Sequence, residues 1–180
     1  MRTRQSLIDD NASLLEQGIQ LLENLDDELY SKSEATVASS GIGSHFRHLI
    51  DYYERFFAGV GPTGDGHLDY DQRQRDPDVE QRTATAQERL RGIAKRLAEL
   101  TQRQLPELLT VKMDSAEEDA NAPRSQSSVE RELQFLMSHT VHHFALIAVI
   151  LRLNGSEVAP EFGVAPSTLR HWRETRACAP

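Results

Sequence analysis

The pattern of apolar and polar positions predicts four amphipathic helices, at about 5–30, 40–58, 79–105 and 128–153. Within each segment, apolar side chains recur at steps of three and four residues, which places them on one face of an α-helix. In the third segment this stripe includes Leu90, Ile93 and Leu97, while Arg and Glu fill the outer positions. Pro106 is expected to end or kink that helix.

Helix ends carry their own signals. Ser39-Ser40 offers two acceptable N-caps for the second helix. Ser127 and Glu130 have the spacing of a capping box at the start of the fourth. Asn154-Gly155 provides a C-terminal stop for the same helix.

Polar or breaker-rich segments connect the helices. Residues 60–78 form a long loop that begins with glycine and proline and then becomes densely charged, and loops of this length usually carry function or move. The segment 108–113 has some strand character but no evident partner. Without a convincing strand pair, we expect an all-α, antiparallel four-helix bundle. We expect one domain over 1–180, with an ordered tail over 156–180 that lies across the bundle.

Composition narrows the class of protein. The chain has 180 residues and a net charge of −8, which argues against a nucleic-acid-binding surface. No window reaches the roughly 18 uninterrupted apolar residues of a membrane span, and the N-terminus lacks the apolar stretch of a secretory signal. Cys178 is the one cysteine, so no internal disulfide can form. These features predict a cytoplasmic protein without a nucleic-acid or membrane partner.

Candidate chemistry lies in the histidines, five of which fall in the second and fourth helices. His139 and His143 are one helical turn apart on the inward face, a spacing that allows both rings to bind one metal ion. A third ligand from the second helix would be His45 or His48, and periodicity leaves that choice open. Three histidine ligands would leave coordination positions for water or substrate, as catalytic sites require.

Other readings of these residues stay open. The histidines could simply pack in a metal-free bundle, each with a buried hydrogen-bond partner. Asp51 could orient an imidazole or be a solvated acid. His142 is expected at the flank of the fourth helix, His67 in the long loop and His171 in the tail. Tyr52 and Tyr53 are expected to be core or rim aromatics.

Two segments resemble the DinB-like superfamily of metal-dependent four-helix-bundle proteins. They are Ile42–Asp51, which contains His48, and Ser138–Phe144, which contains an H-x-x-x-H pattern. The tail Glu161–Thr168 is also similar to that of some members. The resemblance implies an up-down-down-up bundle, a divalent metal (zinc, nickel or iron) and frequent homodimers. It places the three ligands on His48, His139 and His143, with His45 as the alternative on the second helix.

The expected function is that of a metal-dependent enzyme of thiol-transferase or hydrolase type acting on a small molecule. Relatives implied by the resemblance include transferases that use a low-molecular-weight thiol. Cys178 lies in the tail and is a poor candidate nucleophile, so a thiol would arrive with a cosubstrate. We expect the loop 60–78 and the tail to select the substrate. The alternative is a non-catalytic metal-binding or dimeric interaction bundle.

Overall fold

The structure is a computed structural model and describes residues 3–32, 40–113 and 123–177. It is mostly helical, which confirms the predicted class. The helices of the described residues are α1 (Arg4–Glu23), α2 (Asp27–Ser31), α3 (Ile42–Val60), α4 (Pro77–Gln81), α5 (Thr83–Glu99), α6 (Val129–Leu153) and α7 (Pro166–Ala177). Helices α1, α3, α5 and α6 are the long ones, and they correspond to the four predicted from the sequence.

These four helices enclose the core. Helix α1 packs on α5 and α6, and α3 packs on the same two helices. The largest fully buried side chains include Tyr30, Tyr53, Tyr70, Phe46, Phe56 and Phe144. A buried polar link joins three of the helices: the Tyr53 hydroxyl donates to Asn11 Oδ1 at 2.7 Å, and the Asn11 amide donates to the Leu133 carbonyl at 3.0 Å.

The first and third predicted helices are each divided into two helices, α1 and α2, and α4 and α5. Asp26 caps α2 by accepting a hydrogen bond from the Leu29 amide, so the first helix ends before it. Extended backbone at Arg82 separates α4 from α5, and Thr83 donates from both its amide and its hydroxyl to the Asp27 carboxylate. Helix α5 gives way to a 3₁₀ turn at Leu100–Gln102, so it ends before Pro106. Periodicity misses these breaks because the apolar stripe runs through them.

The predicted N-caps are wrong in both helices. Gly41, and not a serine, precedes α3, and it makes no side-chain cap. Ser128 caps α6 by accepting from the Arg131 amide. Ser127 is one residue too early because it ends a strand, and its hydroxyl donates to the buried Glu132 carboxylate instead. The predicted stop at Asn154-Gly155 is confirmed, with Gly155 at φ 76°.

A small sheet corrects the expectation of an all-helical chain without paired strands. Strands β1 (His67–Asp69), β2 (Leu109–Lys112) and β3 (Ser125–Ser127) pair in that order, with β1 parallel to β2 and β3 antiparallel to it. The strand-like segment 108–113 therefore has two partners, one in each long connection. Tyr70, just after β1, donates to Glu132 of α6 at 2.9 Å, which fixes the sheet on the bundle.

As far as residue 177, the tail follows the bundle surface, as predicted, and it contains the helix α7 (Pro166–Ala177). Phe162 stacks on Phe144 of α6 with ring centroids 4.6 Å apart. Gly163 has φ 72°, and a Cβ there would lie 2.7 Å from the Ala145 amide nitrogen, so the tail backbone touches α6 directly. Pro166 then begins α7.

Helix α6 is long and apolar enough to cross a membrane by length and composition. It packs against α1 and α3, and it carries the buried, hydrogen-bonded Glu132. These contacts are those of a core helix of the bundle, although Val149 and Leu153 on its outer side are exposed.

Candidate metal centre

The candidate centre lies between α3 and α6. His48, His139 and His143 each bring a ring nitrogen to one place, and these three atoms lie within 4.8 Å of one another. The four-residue step between His139 and His143 places their rings on the same side of α6 with centroids 4.5 Å apart. His48 faces both from α3, at 5.0 Å from His139 and 4.7 Å from His143. Such a group of imidazoles could hold a metal ion.

Aromatic side chains form one wall of the centre. The Tyr52 ring stacks on His139 with centroids 4.2 Å apart and also lies 4.7 Å from His48. Phe135 stacks on the same His139 at 5.5 Å. Tyr70 in turn stacks on Tyr52 at 5.0 Å. These contacts fix the plane of the His139 ring and keep water from that side.

His45 lies beside this group and contacts one of its members. Its Nδ1 atom is 2.9 Å from Nδ1 of His143, so one ring donates a hydrogen bond to the other. If His143 is the donor, its Nε2 carries the lone pair that a metal ion needs. The structure thus brings His48 into the three-nitrogen group, whereas His45 lies next to that group and hydrogen-bonds to His143. Ligation by these residues stays a prediction.

Burial keeps the imidazoles neutral. Desolvation lowers the pKa of His48 to about 3, of His139 to about 4 and of His143 to about 2. Desolvation is the largest cause of these pKa shifts, and neighbouring histidines contribute to them, because two imidazolium ions side by side repel each other. At neutral pH each ring therefore offers an unprotonated nitrogen, the form that binds metal.

Arg73, a residue that the sequence analysis did not single out, reaches the same group from the loop after β1. Its Nη1 atom lies 2.8 Å from His48 Nδ1. The signal in the sequence is weak, because Arg73 is one of several charged residues in a run and nothing in the pattern distinguishes it.

Both expectations for Asp51 are wrong: among the described residues it has no hydrogen bond to an imidazole, and it is not a solvated acid. It is buried, with 6% of its surface exposed, and pairs with Arg47 at 3.4 Å. Desolvation raises the pKa of its carboxyl, and the Arg47 guanidinium opposes that shift. Arg47 also pairs with Glu80 at 3.0 Å, so the ion pairs link α3 to α4.

The other sequence candidates contribute no nitrogen to the three-nitrogen group. Tyr53 is a core residue, as expected, while His142 is exposed on α6 and touches His143 edge to face. His67 is exposed on β1 and His171 on α7, and neither contacts the group within the described part of the chain. Cys178 lies outside the described residues.

The residues present fit a divalent metal ion. The Nε2 atom of His139 is buried without a hydrogen-bond partner among the described residues, which costs about 1–3 kcal/mol unless a ligand satisfies it. Neutral imidazole nitrogens suit zinc, nickel and iron(II). A three-histidine group on two helices of a bundle is thus the arrangement of a metal-associated protein.

Fold and site together define a helical bundle with a histidine cluster between two of its helices. The model of the DinB family matches residues 1–167, nearly the whole chain. The chain therefore belongs to the DinB family, which confirms the resemblance drawn from the helix segments.

One curated relative gives a further comparison. FK506-binding protein 5 of Rhizopus delemar is 37% identical over 106 residues, which cover 58% of this chain and 27% of that protein. The matched region thus spans about a quarter of the relative's length. No solved structure was found to match the chain.

Proposed function

We propose that this protein is a metal-dependent enzyme of thiol-transferase or hydrolase type, with His48, His139 and His143 as the ligands of one divalent ion. The observation that carries the proposal is the convergence of their three ring nitrogens within 4.8 Å between α3 and α6. Three protein ligands leave room for a further ligand, which distinguishes a catalytic site from a closed structural one. Zinc, nickel and iron all suit this donor set.

The chemistry follows from what such an ion supplies: it is a Lewis acid that lowers the pKa of a bound thiol or water and polarises a carbonyl. The protein's own residues prepare the site for this role. Burial holds the three imidazoles neutral, Tyr52 and Phe135 cover one side of His139, and His45 accepts from or donates to His143. The proposed substrate is a small molecule in the cytoplasm, with a low-molecular-weight thiol as cosubstrate of the transferase.

Metal analysis tests the site. We expect about one ion per chain in the wild type after reconstitution, and loss of the ion in His48→Ala, His139→Ala and His143→Ala. His142→Ala is the matched control, because this exposed histidine of the same helix is outside the group. A wild type without stoichiometric metal would contradict the proposal. Loss of metal in His45→Ala but not in His48→Ala would move the third ligand to His45.

Activity is tested on the metal-loaded protein. Conjugation of glutathione, bacillithiol or mycothiol to an electrophile such as 1-chloro-2,4-dinitrobenzene would support the transferase, and cleavage of activated esters would support the hydrolase. Both activities should disappear in His139→Ala. If the metal-loaded wild type shows neither thiol conjugation nor ester cleavage, the enzymatic part of the proposal is wrong.

A dimeric interaction bundle is the second candidate, and one observation favours it. Val149 and Leu153, one turn apart on α6, are 45% and 61% exposed. Exposed apolar side chains of this size on neighbouring turns suit a homodimer contact. Sedimentation of the wild type and of Leu153→Asp tests this: a dimer that the substitution converts to a monomer supports it, and a monomeric wild type excludes it.

A further inference from the structure

Arg73 approaches the candidate centre from outside the bundle. It lies four residues after β1, and its Nη1 atom is 2.8 Å from His48 Nδ1. Its Nε atom is buried and has no hydrogen-bond partner among the described residues. An arginine can only donate hydrogen bonds, so His48 Nδ1 is the acceptor here, and the proton of the neutral ring is on Nε2.

This contact and an ion on His48 exclude each other. A neutral imidazole has one nitrogen with a free lone pair and one with a hydrogen. If an ion takes either nitrogen, the proton sits on the other, and no lone pair is left for Arg73. A bound ion also repels the guanidinium by its charge. Loading the centre therefore releases Arg73 from His48 at the edge of the site.

Asp51, a carboxylate close enough for Arg73 to lower its pKa, already pairs with Arg47, so the released guanidinium has no carboxylate to itself among the described residues. Arg47 in turn is compensated by both Asp51 and Glu80. Arg73 forms no ion pair with a described carboxylate, and none joins the three-histidine group. A divalent ion and Arg73 would thus place three positive charges together, with only neutral imidazoles as ligands.

We propose that Arg73 binds a carboxylate of the small molecule that occupies the metal. The proposal rests on the proposed metal site and names the class of its ligand: a compound with a metal-binding thiol or carbonyl and a carboxylate a short chain away. The planar guanidinium matches a carboxylate through two parallel hydrogen bonds. The thiolate on the ion and the carboxylate on Arg73 would together offset two of the three positive charges.

The test uses the full chain loaded with Co²⁺, whose visible spectrum reports its ligands. The probes are 3-mercaptopropionate and its methyl ester, which differ in the carboxylate charge. In the wild type we expect the acid to bind at least ten times more tightly than the ester. In Arg73→Gln this preference should fall to within about twofold. Arg75→Gln is the matched control, since Arg75 is an exposed arginine of the same loop, and it should keep the preference.

The affinity for Co²⁺ itself provides a second readout. Arg73→Gln should bind Co²⁺ as tightly as the wild type or more tightly, because it removes both a competing contact and a positive charge. A tenfold loss of Co²⁺ affinity would mean that Arg73 supports His48, and would overturn the inference. Equal binding of acid and ester by the loaded wild type, or an unchanged preference in Arg73→Gln, would also overturn it while leaving the metal site intact. A wild type that binds no Co²⁺ overturns both proposals.

Discussion

The Nδ1 atoms of His45 and His143 lie 2.9 Å apart, on two different helices. A hydrogen bond between two imidazoles requires that one carry its proton on that atom and the other not. The pair therefore sets which nitrogen of His143 is free, and it holds the ring in a fixed orientation. His45 is in this way a positioning residue for His143.

His45→Ala should weaken metal binding without removing a ligand. Loss of a hydrogen bond that orients a metal-bound histidine typically costs about 10–100-fold in affinity. We expect a shift of that size in the Kd for Zn²⁺, measured by competition with a chromophoric chelator, while the capacity stays at one ion per chain. His142→Ala should leave the Kd unchanged. An unaltered Kd in His45→Ala would mean that the His45–His143 contact does not orient the ligand.

Metal affinity should depend little on pH in the mildly acidic range. The pKa values of His48, His139 and His143 lie at about 3, 4 and 2, so protons do not compete for these rings between pH 7.5 and 6.0. Three solvated histidines with the ordinary pKa of 6.5 would lose about fifty-fold in affinity over this range. Zn²⁺ titrations at both pH values should differ by less than about threefold. A loss near fifty-fold would show that the rings titrate normally.

The same pKa values predict how acid affects the metal-free fold. In the unfolded chain these histidines take up protons near pH 6.5, whereas in the folded chain they stay neutral until about pH 4 or below. Between these limits the unfolded state binds more protons, so their contribution to stability is complete above pH 6.5 and is lost as the pH falls towards 4. Urea unfolding at pH 7.5, 6 and 5 should show this decline. His139→Ala should flatten it, and an equal slope in the variant would count against these pKa shifts.

Replacing Gly43 or Gly92 by alanine should change the free energy of unfolding in opposite directions. A Cβ at Gly43 would lie 1.9 Å from the Glu80 carbonyl oxygen, so Gly43→Ala forces α3 away from α4 and should cost about 1–3 kcal/mol or more in the free energy of unfolding. A Cβ at Gly92, exposed on α5, meets nothing within 4 Å. Gly92→Ala should raise stability by about 0.5–1 kcal/mol. Urea unfolding of both variants checks this, and a tolerated Gly43→Ala would contradict the close approach.

The buried Glu132 should be essential for docking the sheet. The hydroxyls of Tyr70 and Ser127 both donate to its carboxylate. In Glu132→Gln one of these donors meets an amide NH₂, and an unsatisfied buried group costs about 1–3 kcal/mol. The exposed Glu157→Gln is the control and should have no effect. If Glu132→Gln unfolds at the same urea concentration as the wild type, the link between sheet and helix is not stabilising.

The long helices could be predicted because their signal is local. Apolar positions three and four residues apart mark α1, α3, α5 and α6, and the H-x-x-x-H step predicts the adjacency of His139 and His143. The choice between His45 and His48 could not be made this way. Three residues along a helix differ by about 60° in direction, so both could face α6. In the structure, His48 brings a ring nitrogen close to those of His139 and His143 on α6, whereas His45 contacts only His143 of these through a hydrogen bond.

The sheet could not be predicted from the sequence. Its strands have three or four residues each, and they come from two long connections on either side of α5. The sequence of β3, Ser-Gln-Ser, has no apolar alternation, so pairing with β2 is decided by tertiary contacts alone. Arg73 was missed for a related reason. Its position at His48 depends on how the loop after β1 folds back, which a run of charged residues does not reveal.

The division between bundle and loop has a consequence for how such a protein can diverge. The candidate ligands sit on α3 and α6, where almost every neighbour is part of the core, whereas Arg73 belongs to a surface segment between β1 and α4. Under the proposed function, substitution in that segment would change which molecules are accepted, while the helices that carry the three histidines stay as they are. A duplicated copy would then acquire a new specificity through changes in a few loop residues while it retains the proposed metal site.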